Sequence, residues 1–293
     1  MRAATVAIGS ASWLLGATAL AQTPGGTVQG GGASGPTTDV ATNRFERGKP
    51  EESPAESKDA TTLGLSAGGL VATGNSRSLA GTGSTRFRLR RSANQVSAAV
   101  AGNYARAAQD TSSRMETTVE NVQGRLRYDR FLVEHLAVFL AVLARRDRFQ
   151  GLDLRLRVDP GIAYYFLDDK AEQLWAEFGY DLQYDIRRRA NLRAAAADGT
   201  ELARTAVEHS LRTFLGYESK LNDSVAVNLG LEYLQSVERA DAWRINWEAA
   251  LTAKLTDRFS SATAVTVLHD QAPLPGVERT DAMMSFNLVY QLL

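Results

Sequence analysis

Apolar and polar residues alternate along most of the chain after residue 60. In the stretch 174–186, apolar or aromatic residues occupy every even position and mostly polar residues occupy the odd ones. A period of two predicts a β-strand with one apolar and one polar face. The alternation stops at Arg187 after about thirteen residues, whereas a strand in a soluble sheet usually has about 5–6. The pattern therefore predicts an unusually long strand.

About twelve such stretches follow one another along the chain. Their approximate boundaries are 61–74, 77–91, 94–108, 114–130, 134–148, 152–167, 172–188, 204–219, 223–237, 241–256, 258–270 and 279–293. Two of them are ambiguous, because 204–215 also fits a helical stripe and 134–144 is apolar on both faces. Residues 191–203 have high helix propensity, which favours a short helix in a loop.

The joins between these stretches are alternately short and long. Joins such as "KLNDS" and "TD" alternate with others that include "RRANLRAAAADGTELAR" and "HDQAPLPGVER". Long strands, an even strand number and this asymmetry are typical of an outer-membrane β-barrel. Lipid solvates neither charge nor an open sheet edge, so the polar face must line the lumen and the barrel must close. We predict an all-β fold: a closed antiparallel transmembrane barrel of about 12 strands, with short periplasmic turns and longer extracellular loops.

A secreted soluble sandwich is the alternative fold, since its strands also alternate. It predicts shorter strands, frequent turn signals and occasional charge on either face. Here, charges with the parity of the apolar face stand beside predicted outer loops, at Glu116, Glu120, Arg146 and Arg148. Strand length and loop asymmetry favour the barrel.

The first 59 residues predict export. Residues 1–21 begin with Arg2, continue through a short apolar stretch and end in Ala19-Leu20-Ala21, which is typical of a cleaved secretory signal peptide. Residues 22–59 are rich in Gly, Pro, Ser, Thr and charge, and predict a disordered periplasmic arm. No uncharged apolar run beyond them reaches the roughly 18–20 residues of a transmembrane helix. We assign residues 60–293 to a barrel in the Gram-negative outer membrane.

Three strings resemble the salt-induced outer-membrane proteins, an uncharacterised Gram-negative family. They are "ATGNSRSLAGTGSTRFRLRR" (72–91), "RRDRFQGLDLRLRVDPGIAYYFLDD" (145–169) and "LWAEFGYDLQYD" (174–185). The resemblance covers approximately residues 60–293 and implies location and architecture, with no established biochemical activity. Barrels of this kind commonly end in an aromatic residue that the barrel-assembly machinery recognises, whereas this chain ends in Leu292-Leu293.

Composition excludes several kinds of function. Lys and Arg total 33, as do Asp and Glu, and this balance argues against nucleic-acid binding. The chain has no cysteine, so disulfides and thiolate chemistry are excluded. No phosphate loop, dinucleotide fingerprint or metal-spaced histidine cluster is present, and we expect no cofactor, metal or catalytic residue. His209 and Ser210 are adjacent, so on a strand they point to opposite faces and cannot pair as base and nucleophile.

The predicted inner face is divided by charge. Basic residues concentrate on the second, fourth and sixth strands, and acidic residues on the seventh to tenth. The candidate lumen-lining residues are Arg86, Arg88, Arg125, Arg127, Arg155, Arg157, Glu177, Asp181, Asp185, Glu208, Glu232 and Glu248. This division fits either a transverse field across a narrow pore or a salt-bridge network that fills the lumen.

Further arginines fall near two adjacent extracellular loops. Arg146, Arg148, Arg188 and Arg189 are candidate contacts for lipopolysaccharide phosphates, because guanidinium groups bind phosphate bidentately. The alternative is a solvated loop end. We therefore expect outer-membrane lipid and lipopolysaccharide as partners, together with the assembly machinery during biogenesis.

These observations predict a non-enzymatic protein of the cell envelope. The lumen is expected to be narrow or closed by charge pairs, and the resemblance adds a relation to salt or other stress. A solute-selective, porin-like channel for small solutes is the main alternative, and a membrane-embedded hydrolase is a more distant one.

Overall fold

A computed structural model describes residues 59–72, 77–108, 114–169, 171–197, 199, 201–273 and 279–291. Within these ranges twelve strands form a closed antiparallel barrel, in which each strand pairs with its neighbours in sequence and β1 pairs with β12. The strands are β1 (Asp59–Ala72), β2 (Arg77–Arg91), β3 (Asn94–Ala108), β4 (Glu116–Val133), β5 (Leu136–Asp147), β6 (Leu152–Asp168), β7 (Glu172–Arg187), β8 (Thr205–Asn222), β9 (Val225–Ser236), β10 (Trp243–Lys254), β11 (Phe259–Asp270) and β12 (Thr280–Gln291). The predicted fold class is confirmed.

Most strand boundaries lie within a few residues of the predicted ones. β4 is the clearest difference, because it continues to Val133 and turns at Glu134 and His135. The extension has a physical reason: Phe131 faces the lumen, stacks on Tyr165 at 5.8 Å and donates its backbone N–H to Ala93 O at 2.8 Å.

Both ambiguous stretches are strands. Residues 204–215 lie mostly in β8, which hydrogen-bonds to β7 and β9 along its length, and residues 134–144 lie mostly in β5. The expected loop helix is α1 (Arg189–Ala197), between β7 and β8. Among the described residues, no helix is long and apolar enough to cross a membrane.

The two ends of the barrel differ in the length of their connections. Residues 92–93, 134–135 and 223–224 form two-residue turns at one end, which we call the short-turn end. At the other, the long-loop end, the connections include residues 188–204 and 271–279. The predicted asymmetry of the connections is therefore confirmed.

The outer face is apolar and exposed, and the inner face is mainly polar and buried. Leu126 on β4 and Phe178 on β7 are each 54% exposed, and outward-facing Leu, Ile, Val and Tyr side chains surround the barrel. A soluble protein rarely exposes such a continuous apolar surface, whereas lipid covers it in a membrane barrel. The pairing of Gly64–Ala67 on β1 with Leu288–Gln291 on β12 closes the sheet, as a barrel in lipid requires.

Several predictions fall outside the described residues. The signal peptide (1–21), all of the predicted arm except Asp59, and Leu292-Leu293 belong to this group. Asp59 itself is the first residue of β1.

Candidate functional site

The inner face has a charged half and a small-residue half. Strands β4 to β10 direct most of the buried Asp, Glu and Arg side chains inward. Strands β1 to β3, β11 and β12 instead contribute mainly small inward residues, such as Ser84, Ala99, Ala101, Ala262 and Ala264, all buried. Inward position follows from parity, since every second residue of a strand faces the lumen.

At mid-height, eight charged side chains of the charged half join in one network. We call this network the charge belt, and none of its members is more than 6% exposed. Its members are Arg127, Asp129, Arg157, Asp159, Glu177, Asp181, Arg212 and Glu232.

Glu177 connects strands that are not neighbours in the barrel. Arg127 on β4 donates from Nη1 to Glu177 Oε1 at 2.8 Å, and Arg212 on β8 donates from Nη1 to Glu177 Oε2 at 2.8 Å. β5 and β6 lie between β4 and β7 in the sheet. The bond from Arg127 to Glu177 therefore crosses the lumen instead of following the wall.

Glu232 on β9 makes a second connection of this kind. Arg212 Nε donates to Glu232 Oε1 at 2.5 Å, and Arg157 Nη2 on β6 lies 3.5 Å from the same oxygen. Asn246 Nδ2 on β10 donates to Glu232 Oε2 at 2.6 Å. Because β7 and β8 separate β6 from β9, the pair of Arg157 and Glu232 also spans non-adjacent strands.

The remaining belt acids bind the arginines within one strand or between neighbouring strands. Arg127 Nη2 donates to Asp129 Oδ1 at 2.7 Å on the same strand. Arg157 donates to Asp181 on the neighbouring strand and lies 3.6 Å from Asp159. Each belt arginine thus has at least two acidic partners, as a buried charge requires. The belt contains five acids and three arginines, so its formal charge is negative.

Aromatic side chains form a floor beneath the belt, towards the short-turn end. Its members cluster with four alanines and are Phe131, Phe139, Tyr165, Trp175 and Phe214. Phe139 faces Gly161 across β5 and β6, and Trp175 faces Gly216 across β7 and β8. The guanidinium carbon of Arg127 lies 4.0 Å from the centre of the Phe139 ring, so the belt rests directly on the floor.

Above the belt, towards the long-loop end, the polar groups are more accessible. Arg155 binds Asp185 with two hydrogen bonds of 2.8 and 2.7 Å. Arg244 donates to Gln183 Oε1 at 2.8 Å and lies 3.4 Å from Glu208, whose side chain is 41% exposed. A cavity of about 40 Å³ beside Glu208 and Arg244 has room for a few water molecules only.

The structure places the predicted lumen residues in several groups. Arg127, Arg157, Glu177, Asp181 and Glu232 meet in the charge belt. Arg155, Asp185 and Glu208 lie above it, towards the long-loop end. Arg125, also on β4, is close enough to interact electrostatically with Glu177. Arg86 and Arg88 are on the inner face of β2, and Glu248 is on that of β10.

Three belt residues and one belt partner were missed by sequence reasoning. Asp129 and Asp159 have inward parity, and parity alone would have identified them on strands that otherwise carry arginine. Arg212 fell in the stretch with ambiguous periodicity, and Asn246 is uncharged.

His209 and Ser210, the base and nucleophile that a hydrolase would need, do not lie on the same face. His209 lies on the outer face bonded to Tyr180, whereas Ser210 is inward-facing and 3% exposed. On the same outer face, His269 stacks on Trp243 at 4.9 Å, as in the aromatic girdle of a membrane barrel. No cluster of three or more His, Asp or Glu suited to a metal ion occurs among the described residues.

The four arginines considered for lipopolysaccharide lie at the long-loop end. Arg146 is on the outer face of β5, and Arg148 follows β5 and pairs with Glu120. Arg188 and Arg189 follow β7, at the start of α1.

Comparison with known proteins gives one family and a set of barrels. The family model described as "Protein of unknown function, DUF481" matches residues 65–292, whereas no curated protein matches the chain. A NanC porin is 13% identical, with 79% of this chain and 100% of that chain covered and a TM-score of 0.48. The translocator domain of the autotransporter NalP from Neisseria meningitidis is 9% identical, with coverages of 80% and 87% and a TM-score of 0.42. An outer membrane channel from Pseudomonas putida F1 is 10% identical, with coverages of 81% and 98% and a TM-score of 0.42. These similarities concern the fold alone.

Proposed function

The chain belongs to the DUF481 family of proteins of unknown function, and we propose that this member is a non-enzymatic outer-membrane barrel whose lumen is closed to solutes. Location in the outer membrane is supported by the closed barrel with an apolar, exposed outer face. The short-turn end then faces the periplasm, as in bacterial barrels generally.

The bond between Arg127 and Glu177 is the observation that carries the closed lumen. It joins non-adjacent strands at 2.8 Å, and the side chains of Arg127 and Glu177 are 2% and 1% exposed. A water-filled path beside this bond would hydrate the two charged groups and raise their exposure. The aromatic floor lies directly below, so a solute passing through the charged half would have to displace two layers of side chains.

Conductance of the refolded protein in planar bilayers tests this function. We expect no stable single-channel current from the natural chain. The variant combining Arg127→Ala and Arg212→Ala removes both guanidinium groups that hold Glu177 and should admit ions, provided that its gel mobility still shifts on heating. Stable, saturable current through the unaltered protein would overturn the closed lumen.

A solute-selective channel is the second candidate, and the small-residue half of the lumen favours it. Ser84, Ala99 and Ala262 occupy little volume, and Arg86 and Arg88 on β2 face the same interior. A narrow path along this wall would carry a transverse field between these arginines and the acids of β7 to β10. Stable, saturable conductance that falls in an Arg86→Gln variant would identify this path.

The envelope role that follows from a closed barrel is maintenance of the barrier. We extend the proposal to salt or osmotic stress on the basis of the sequence resemblance. A deletion strain should admit more of a normally excluded dye at high salt, and re-expression of the chain should restore exclusion. Equal dye uptake with and without the protein would contradict this role.

A further inference from the structure

One sector of the long-loop end is rich in arginine. Residues 145–153 and 187–204 together contain eight arginines, four acidic residues and no lysine. We call its four candidate residues, Arg146, Arg148, Arg188 and Arg189, the arginine rim. The excess of positive charge lies where the outer leaflet of the membrane meets water.

The two segments that carry the rim are attached to each other. Arg188 N donates to Gly151 O at 2.8 Å, which ties the start of the long loop to the turn between β5 and β6. Gly151 has a φ of 70°, and Asn191 occupies the space that a Cβ would need there. The rim is therefore one surface formed by adjacent segments.

Arg146 has the outward parity of β5 and stands beside an irregularity in the sheet. On the β6 side, pairing passes from Arg145 with Arg155 to Asp147 with Leu152, so the extra residue lies on β6. Such bulges are common at the rims of barrels. Arg146 is exposed and forms no ion pair with any residue that the structure describes. By contrast, Arg145 pairs with Asp147, and Arg148 pairs with Glu120.

The height of Arg146 matches the edge of the apolar band. The outward row of β5 runs from Leu136 through Val138, Leu140 and Val142 to Ala144. At about 3.3 Å per residue and a tilt of about 40°, this row covers roughly 20 Å of the membrane normal, close to the usual band of about 25 Å. Arg146 is the next outward residue, at the level of lipid head groups.

We propose that the arginine rim binds the phosphate groups of lipopolysaccharide in the outer leaflet. Arg146 supplies a guanidinium group that pairs with none of the described residues, and Arg148, whose side chain is 49% exposed, keeps donors beyond its bond to Glu120. A planar guanidinium group matches two phosphate oxygens at once. This surface depends on the proposed outer-membrane location but not on the closed lumen.

Native mass spectrometry of the refolded barrel in detergent with bisphosphorylated lipid A tests the rim. The unaltered protein should retain lipid A, and the Arg146→Gln/Arg148→Gln variant should bind it about tenfold more weakly. Both side chains are exposed, so the variant should fold, which heat-modifiable gel mobility checks. Arg130→Gln is the matched control, because Arg130 is also exposed on the outer face but lies near the short-turn end. It should retain lipid A normally.

Two further probes distinguish the source of the phosphate. Dephosphorylated lipid A should not be retained, and inorganic phosphate at millimolar concentration should not displace bound lipid A. Equal retention by the double variant, equal retention of dephosphorylated lipid A, or displacement by inorganic phosphate would each overturn the rim as a lipopolysaccharide site. None of these results depends on conductance, so the lumen proposal stands or fails separately.

Discussion

Replacing Arg212 by methionine removes the guanidinium group at the centre of the charge belt. Arg212 is 1% exposed and donates to both Glu177 and Glu232, at 2.8 and 2.5 Å. The variant leaves five acids with two arginines in a buried network that is already negative. Breaking a buried ion pair on one side costs about 3–5 kcal/mol, because the remaining charge is uncompensated. We expect a loss of this size in the free energy of unfolding.

Arg244→Met is the matched control for this measurement. Arg244 is also an inward arginine, but its side chain is 17% exposed and its acidic partner Glu208 is 41% exposed. The solvent-screened pair with Glu208 contributes about 0–1 kcal/mol, and the hydrogen bond to Gln183 adds about 1 kcal/mol. Equilibrium unfolding in urea, followed by tryptophan fluorescence and gel mobility in the same lipid, compares the two variants directly.

A compensating variant separates lost charge from lost packing. Adding Glu177→Gln and Glu232→Gln to Arg212→Met neutralises the two acids that have lost Arg212, while nearly keeping their size. If charge causes the loss, the triple variant should recover more than half of it. A loss in Arg212→Met within about 1 kcal/mol of that in Arg244→Met would refute the belt as a buried charge network.

Three further predictions test the floor, the faces and the charge of the lumen. Gly161→Ala places a Cβ 2.6 Å from the Phe139 ring and 2.8 Å from Phe178 O, so the folding yield should fall. Gly81→Ala, whose Cβ meets nothing within 4 Å, should fold normally, and equal yields of the two variants would contradict the floor. In single-tryptophan variants, brominated lipid should quench the fluorescence of Trp247, which is on the outer face and 38% exposed. It should not quench that of Trp175, which faces inward and is 5% exposed, and the reverse result would contradict the assignment of the two faces. In the variant that combines Arg127→Ala and Arg212→Ala, the remaining belt acids should make the current cation-selective. Reversal potentials in a salt gradient measure this selectivity, and anion selectivity would exclude an ion path through the belt.

The architecture was predictable because it depends on local features. A period of two assigns each residue to a face, and the length of the alternating runs distinguishes a membrane strand from a soluble one. Parity therefore placed Glu177 and Asp181 on the inner face without knowledge of closure. Because β6 and β7 are consecutive and therefore neighbours in the sheet, the sequence also indicated that Arg155 and Arg157 would meet the acids of β7.

The belt itself was less predictable, because two of its contacts, Arg127 with Glu177 and Arg157 with Glu232, join strands that are not neighbours in the sheet. Whether Arg127 reaches Glu177 depends on the width of the lumen and on the side chains between β4 and β7, and neither is encoded locally. Register has the same effect on the floor: Phe139 meets Gly161 only in the observed pairing, and a shift of one residue would reverse the faces.

Glycines in the wall explain how the floor and the belt share the charged half of the lumen. A glycine opposite an aromatic residue leaves a shallow space without a Cβ, so the Phe139 ring lies against Gly161. Because the ring lies against the wall, Arg127 can occupy the space above it, with its guanidinium carbon 4.0 Å from the ring centre. Arg127 is thereby supported from below by the ring and held from the sides by Asp129 and Glu177. The glycine thus determines the position of the guanidinium group through the ring, which is why a methyl group at Gly161 should disturb the charge belt as well as the floor.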